Sequence, residues 1–244
     1  GDVAAAPAVA AMTAPLVSCI MPTADRRHFV AHGIRNFLAQ DHPERELVIV
    51  DDGVDAIEDL VPHDARIRYV RLARRLSIGE KRNTACAMAR GAFIAHFDDD
   101  DWSSPHRLSY QLADLESAGA DLAGLARMHY LEPASGRAWQ YRYPAGARRW
   151  VAGNTLIYRR ERWQARPFEA VDVGEDARFV WAGRSTAIHA HASSDFFVAM
   201  IHGANAGPKR VRERFWRAEP TAVVQALMGA DYEVYRALPA AKVA

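Results

Sequence analysis

The feature that most restricts this chain is the alternation, over its first hundred residues, of short apolar segments with longer amphipathic ones. "LVSCIM" (16–21), "ELVIV" (46–50), "IRYVRL" (67–72) and "AFIAHF" (92–97) are brief, apolar and rich in β-branched residues, which predicts strands. Between them, 26–40, a short piece near 55–61 and 78–90 read as helices. Ser77 followed by Glu80 is a capping box for the last of these, with Ile78, Ala85 and Ala89 on one face. Another helix is expected after Ser104, with Pro105 in its first position and Leu108, Leu112 and Leu115 as its apolar stripe. Strands alternating with helices imply βαβ units, hence an α/β fold whose mainly parallel sheet is covered on both faces.

The second half is less regular. "DLAGLARMHYLE" and "AWQYRYP" are expected to be strands around the turn "PASGR", and "WVAGNTLIYRR" another strand. A helix about 174–183 and strands near 186–190 and 195–202 follow. Residues 209–236 are expected to be helical, with Val211, Phe215 and Trp216 of "PKRVRERFWR" along one face. Such a basic amphipathic face packs on the domain or touches an anionic membrane. A net charge of +1 argues against a nucleic-acid partner. Cys19 and Cys86 sit in apolar segments as reduced thiols would in a reducing compartment. No apolar run approaches the ~18 residues of a membrane span, and "GDVAAAPAVAA" lacks the basic start of a signal peptide. The expectation is a soluble cytoplasmic protein, working free or at the inner face of the membrane. Residues 1–14 are expected to be a disordered leader, with a native start near Met12.

Three strand ends are polar: "PTADRR" (22–27), "DDG" (51–53) and "DDDDW" (98–102). One acidic strand end is ordinary, since Asp favours turns and caps. Three on one sheet edge point to a site, because ligands of open α/β sheets bind beyond the carboxyl ends of the strands. Adjacent carboxylates raise one another's pKa unless a cation offsets them. Alternation places Asp98 and Asp100 on one side, with Asp99 pointing elsewhere and Asp101 serving the next helix. Oxygen ligands suit Mg²⁺ or Mn²⁺, and Mg²⁺ is commonly shared with substrate phosphates. "SIGEKRN" (77–83) offers a place for phosphate: Gly79 permits a tight turn, and helix N–H groups attract anions. Lys81 and Arg82 lie in that first turn, where cations are disfavoured unless a polyanion or solvent takes them.

In this order and spacing, "VSCIMPTADRR", "LVIVDDG", "IGEKRNTACAMARGAFIAHFDDDDW" and "GED" (174–176) resemble the family 2 glycosyltransferases, of the Rossmann-like GT-A fold, over about 15–205. The resemblance implies a nucleotide-binding half (15–102), an acceptor-side half (103–205) and a C-terminal helical extension (206–244). It implies that Thr23 and Arg26 border the nucleoside and that Asp52 or Asp51 bonds its base. Gly79 and Arg82 would approach the diphosphate, Asp98 and Asp99 the donor, and Asp98, Asp100 and His202 a divalent metal, Mn or Mg. Asp176 would be the general base of an inverting transfer from a nucleoside-diphosphate sugar, UDP-linked, to an acceptor hydroxyl. Trp102, Asn154, Glu175 and Trp150 would lie near sugar or acceptor. Whether that acceptor is a glycan, a lipid-linked glycan or a protein stays open. The chain departs from the family in Ala24, where an aromatic residue often stacks on the base, and in Val54 after Gly53. It also lacks the Q-x-x-R-W of processive synthases, so transfer of a single sugar is expected. Two other readings compete: a nucleotide-sugar-binding module without turnover, and a nucleotidyltransferase, whose Gly- and Lys-rich signature "PTADRR" does not match.

Overall fold

The computed structural model describes residues 14–184, 187–205, 207 and 209–238. The leader expected at 1–14 therefore lies, but for Ala14, outside the described residues. The chain runs β1 (Val17–Thr23), α1 (Arg27–Leu38), β2 (Arg45–Asp51), β3 (Ile67–Arg71), α2 (Ile78–Met88), β4 (Phe93–His96), β5 (Trp102–Ser103) and α3 (Arg107–Ser117). It continues β6 (Leu122–Gly124), β7 (Arg127–Glu132), β8 (Arg137–Arg142), β9 (Ile157–Arg159), α4 (Arg160–Ala165) and α5 (Glu175–Trp181). Last come β10 (Ile188–Ala190), β11 (Phe197–Met200), β12 (Trp216–Glu219), α6 (Thr221–Met228) and α7 (Asp231–Arg236).

The main sheet has the order β10-β6-β9-β4-β1-β2-β3. Its pairs are parallel except where β9 runs against β4 and β6. Strand alternation sends Cys19, Met21, Leu47 and Ile49 to one face, where α1 and α3 cover them with Val30, Ile34, Phe37, Leu108, Leu112 and Leu115. Ile20, Val48, Val50 and Ile94 go to the other, under Ala85 and Cys86 of α2 and Phe179 and Val180 of α5. This is the expected mixed, mainly parallel α/β sheet. Ser77 and Glu80 form the capping box that starts α2. Cys19 and Cys86 are buried free thiols, and burial pushes both up to about 12.

A second sheet, β12-β8-β7-β11-β5, stands beside the first. It accounts for most of the differences from the sequence reading. "DLAGLARMHYLE" breaks into β6 and β7, which belong to different sheets. "WVAGNTLIYRR" opens with a 3-10 turn at Gly153–Thr155, leaving only β9 as strand. The piece near 55–61 is a single 3-10 turn, Glu58–Leu60, and α3 begins after His106 rather than at Pro105. Residues 209–219 are not helical. β12 pairs with β8, and Trp216 packs on Tyr130 and Tyr141. The helical face expected for Val211, Phe215 and Trp216 is therefore not formed. An unpaired edge on β8 recruits the segment as strand. No helix among the described residues is long and apolar enough to cross a membrane.

At the edge of the sheet away from the polar strand ends, Glu46 is 1% exposed. It accepts from Ser18 Oγ (2.6 Å), Arg90 N (2.7 Å), Arg90 Nε (2.8 Å) and Arg68 Nη2 (3.1 Å). Burial works against its charge, yet these donors hold its carboxyl below the usual value of 4.5. Its contribution is thus present above that value and is lost as pH falls through the lower folded one. Glu46→Gln is expected to cost about 2 kcal/mol at neutral pH, typical of hydrogen bonds to a charged group. In urea titrations the gap to wild type should close below pH 4.5; a constant gap would count against the charge.

Candidate active site

The register of β1 and β2 sets Thr23 beside Asp51, and β4 flanks β1 on its other side, so the three polar strand ends do meet. Their side chains first bind one another. Thr23 Oγ1 donates to Asp99 Oδ2 at 2.6 Å. Asp51 is fully buried, accepting from Gly53 N (2.8 Å) and Tyr69 OH (2.8 Å), with Arg71 Nη1 at 3.0 Å. Asp52 accepts from Leu76 N (2.7 Å) and Lys81 Nζ (2.8 Å). Both carboxylates, expected to meet a base, have hydrogen-bond partners within the fold. Lys81 is no surface charge. It is buried and ties Asp52 to the carbonyl of Thr23, at 3.1 Å.

The acidic run is built of four different environments. Asp99 is buried between Thr23 and Arg26 Nη1 (3.0 Å), and burial pushes its carboxyl up to about 6. Asp100 takes Arg26 Nη1 at 3.0 Å and His202 Nε2 at 2.8 Å. Burial opposes its charge, but these two partners hold its pKa low. His202 in turn stacks on Phe29, centroids 4.4 Å apart. Asp101 does not cap α3. It accepts from Met200 N (2.9 Å) and Asn154 Nδ2 (2.7 Å), and burial pushes its carboxyl well up. Asn154 is therefore occupied in holding the run. Trp102 is 3% exposed in a core shared with Met228 and Tyr232, its indole donating to Asp231 at 2.9 Å. Trp150 is half-buried against Tyr141 and Tyr143.

Asp98 stands apart and faces Arg82. Arg82 Nη2 lies 3.7 Å from Asp98 Oδ1, and Nε lies 3.4 Å from Glu175 Oε1. Its Nη1 meets His96, which burial and Arg82 itself keep neutral. Asp98 Oδ1 and Arg82 Nε are buried without hydrogen-bond partners. Burial, with the charges of Asp176 and Asp98, pushes the Glu175 carboxyl up. Asp176 acts on the same Arg82 and presses its carboxylate onto Gly153, where a Cβ would overlap its Oδ2. The phosphate cradle expected at Gly79 is differently used. Ile78 N donates to Asp172 Oδ1 (3.0 Å), Gly79 N to the carbonyl of Val171 (3.1 Å) and Glu80 N to Ser77 Oγ (3.3 Å). The first-turn N–H groups thus hold the 168–174 segment that delivers Glu175 and Asp176, and a Cβ on Gly79 would overlap the Glu169 carbonyl.

Of the three residues expected to share a metal, Asp100 and His202 touch, while Asp98 is drawn toward Arg82. Among the described residues these three do not gather their ligand atoms at one point as a bound cation would require, although the Asp98 oxygen is left without a hydrogen-bond partner and carboxylate oxygens with an imidazole suit Mn²⁺ or Mg²⁺ by type. A second donor group, absent from the sequence reading, joins Asp114 to His189 and His191. His189 Nε2 and His191 Nδ1 approach the same Asp114 oxygen at 2.8 and 2.7 Å. Gln111, oriented by accepting from Arg107, donates to His191 Nε2 at 3.2 Å. His191 Nδ1 therefore carries its proton toward Asp114, and the group closes through hydrogen bonds. The i, i+2 pair His189 and His191 was the available signal for it.

Residues 18–180 match the family described as glycosyl transferase family 2. The chain belongs to that family. Curated relatives include WcaA of Escherichia coli, provisionally named a colanic acid biosynthesis glycosyl transferase, 36% identical over 41% of this chain and 37% of its own length. ExoO of Rhizobium meliloti, a succinoglycan biosynthesis protein, is 34% identical over 45% of this chain and 32% of its own. These matches span well under half the length of either relative. Among solved structures, S. aureus TarS 1–349 in complex with UDP-GlcNAc aligns with a TM-score of 0.60 at 18% identity, covering 78% of this chain and 60% of that one. Mannosyltransferase PcManGT of Pyrobaculum calidifontis, in complex with GDP-Man and Mn²⁺, gives 0.57 at 17% identity, covering 91% and 73%. The likeness establishes the GT-A fold for this member of the family. Gly79→Ala is expected to lift the 168–174 segment, at about 2 kcal/mol for an overpacked contact against backbone. Hydrogen exchange checks it: amides of that segment should lose protection while β1–β3 keep theirs.

Proposed function

We propose that this glycosyltransferase moves one sugar, with inversion, from a UDP-linked donor to an acceptor hydroxyl, using a divalent cation. The observation that carries the reading is the pair of buried, unpartnered atoms Asp98 Oδ1 and Arg82 Nε beside Asp176, at the carboxyl end of β4. A carboxylate oxygen and a guanidinium nitrogen left without hydrogen-bond partners in one site suit a ligand bearing both signs, such as a cation with a diphosphate. Asp98, Asp100 and His202 would hold the cation, which when bound neutralises charge on the departing diphosphate. Arg82 supplies a fixed positive charge to the same leaving group. Arg26 keeps Asp99 and Asp100 in place, and Thr23, Asp51, Asp52 and Gly79 shape the donor end by positioning its walls.

Asp176 accepts the proton of the acceptor hydroxyl as its oxygen attacks the anomeric carbon and the bond from that carbon to the diphosphate oxygen breaks. Gly153 leaves room for the carboxylate, and Glu175 holds Arg82 alongside. The names of WcaA and ExoO, which speak of colanic acid and succinoglycan biosynthesis, support a glycan under assembly as acceptor.

Asp176→Asn is expected to lower transfer by about 10³-fold while UDP still binds with Mn²⁺ by calorimetry; near-normal transfer would remove Asp176 as the base. Gly153→Ala, which displaces the same carboxylate, should lose about 10²-fold in kcat with the fold intact. Chelation by EDTA should abolish UDP binding, and restored Mn²⁺ should recover it; binding indifferent to EDTA would exclude the cation.

A further inference from the structure

Arg107 opens α3 directly behind the acidic run and is 1% exposed. A buried guanidinium is costly unless its hydrogen bonds are met, and here none of its bonded partners is a carboxylate. Nε donates to Gln111 Oε1 (2.9 Å) and Nη1 to Ser103 Oγ (2.8 Å). Nη2 donates to the carbonyl oxygens of His96 (2.6 Å) and Asn154 (3.2 Å). The guanidinium carbon lies 4.7 and 4.9 Å from the ring centres of Phe97 and Phe197. Gln111 is itself fixed, its Nε2 donating to the Thr155 carbonyl at 2.8 Å.

These contacts fall on three places that matter together. His96 is the last residue of β4, before the run; Ser103 is the last of β5, after it. Asn154 belongs to the turn that grips Asp101 and, through Gly153, seats Asp176. We propose that Arg107 is the positioning residue of the donor site: its planar fork clamps both ends of the 97–102 loop to the 153–155 turn. It also sets a fixed positive charge behind the four carboxylates. A lysine, with a single flexible ammonium, cannot reach four acceptors in one plane. The role rests on the donor-site reading above, and no residue of the run contacts the Arg107 side chain by hydrogen bond, so its action is through backbone and charge.

The test uses the full chain with Arg107→Lys, and Ile67→Ala at the far edge of the sheet as a control for general destabilisation. Hydrogen exchange and UDP affinity with Mn²⁺ are measured for each. Arg107→Lys is expected to speed exchange at least tenfold in the 97–103 and 152–155 amides and to weaken UDP about tenfold. Ile67→Ala should leave UDP affinity within twofold at a comparable fall in melting temperature. Equal losses in both variants, or unchanged exchange in those two segments, would overturn the role. If wild type binds no UDP with Mn²⁺, the donor-site reading fails, and the exchange result alone still decides whether Arg107 clamps the loop. Should the lysine variant not fold, Ser103→Ala removes a single contact, with about threefold effects expected and wild-type behaviour again overturning the role.

Discussion

Four carboxylates in a row at the end of β4 are the constraint on which this structure depends. Side by side in a low-dielectric interior they would expel one another or take up protons. The fold bonds three of them and leaves the fourth facing a charge: Thr23 and Arg26 donate to Asp99, Arg26 and His202 to Asp100, the Met200 amide and Asn154 to Asp101, while Arg82 stands 3.7 Å from Asp98, and burial still pushes Asp98, Asp99 and Asp101 up. Those groups come from β1 and its turn, α2, the 153–155 turn and β11. Satisfying the run therefore assembles most of the site, because each donor must be brought to it by a separate element.

Only Asp98 is left incompletely met, and the residue facing it, Arg82, shares that state. A fold able to bond Asp101 through a strand amide from a different sheet is not short of means to satisfy one more oxygen. Leaving a carboxylate and a guanidinium unbonded at 3.7 Å is consistent with a site whose remaining valences belong to a ligand. The same economy explains α2. Its capping box and the carbonyl of Val171 consume the N–H groups that a phosphate would otherwise take, so the helix start holds the arm of Glu175 and Asp176, and Arg82, one turn on, is what remains to meet an anion.

How much was legible follows from the range of the interactions. The four apolar segments, the capping box and the alternation from which the parallel sheet follows are local signals, and each appears as expected. The convergence of strand ends is topological and followed from them. What the sequence did not disclose depends on partners far along the chain. Ile78 meets Asp172 across 94 residues, and Lys81 meets Asp52 across 29. Short strands such as β6 and β9 carry too few residues for periodicity to separate them from neighbours. The segment ending in β12 has a helical pattern of aromatic residues and is nonetheless strand, because the edge of β8 decides it. Arg107 showed only as one more basic residue at a helix start; its burial needed the three segments that surround it.

The division of the chain at 102/103 into a nucleotide half and an acceptor half also changes in meaning. Asp100 and Asp101 leave β4 of the main sheet and are bonded by His202 and Met200 at the end of β11, in the second sheet. Asn36 of α1 and Tyr235 of α7 both donate to the Asp101 carbonyl, at 2.9 and 3.1 Å. The C-terminal segment thus reaches the run through α7, whose Tyr235 and Asp231 bond Asp101 and Trp102. It follows that a change in the second sheet, however far from the donor by sequence, reaches Asp100 and Asp101 through two hydrogen bonds from β11 and the residues just past it. The acidic run and the end of β11 are therefore coupled, because Met200 and His202 hold two of its four carboxyl groups.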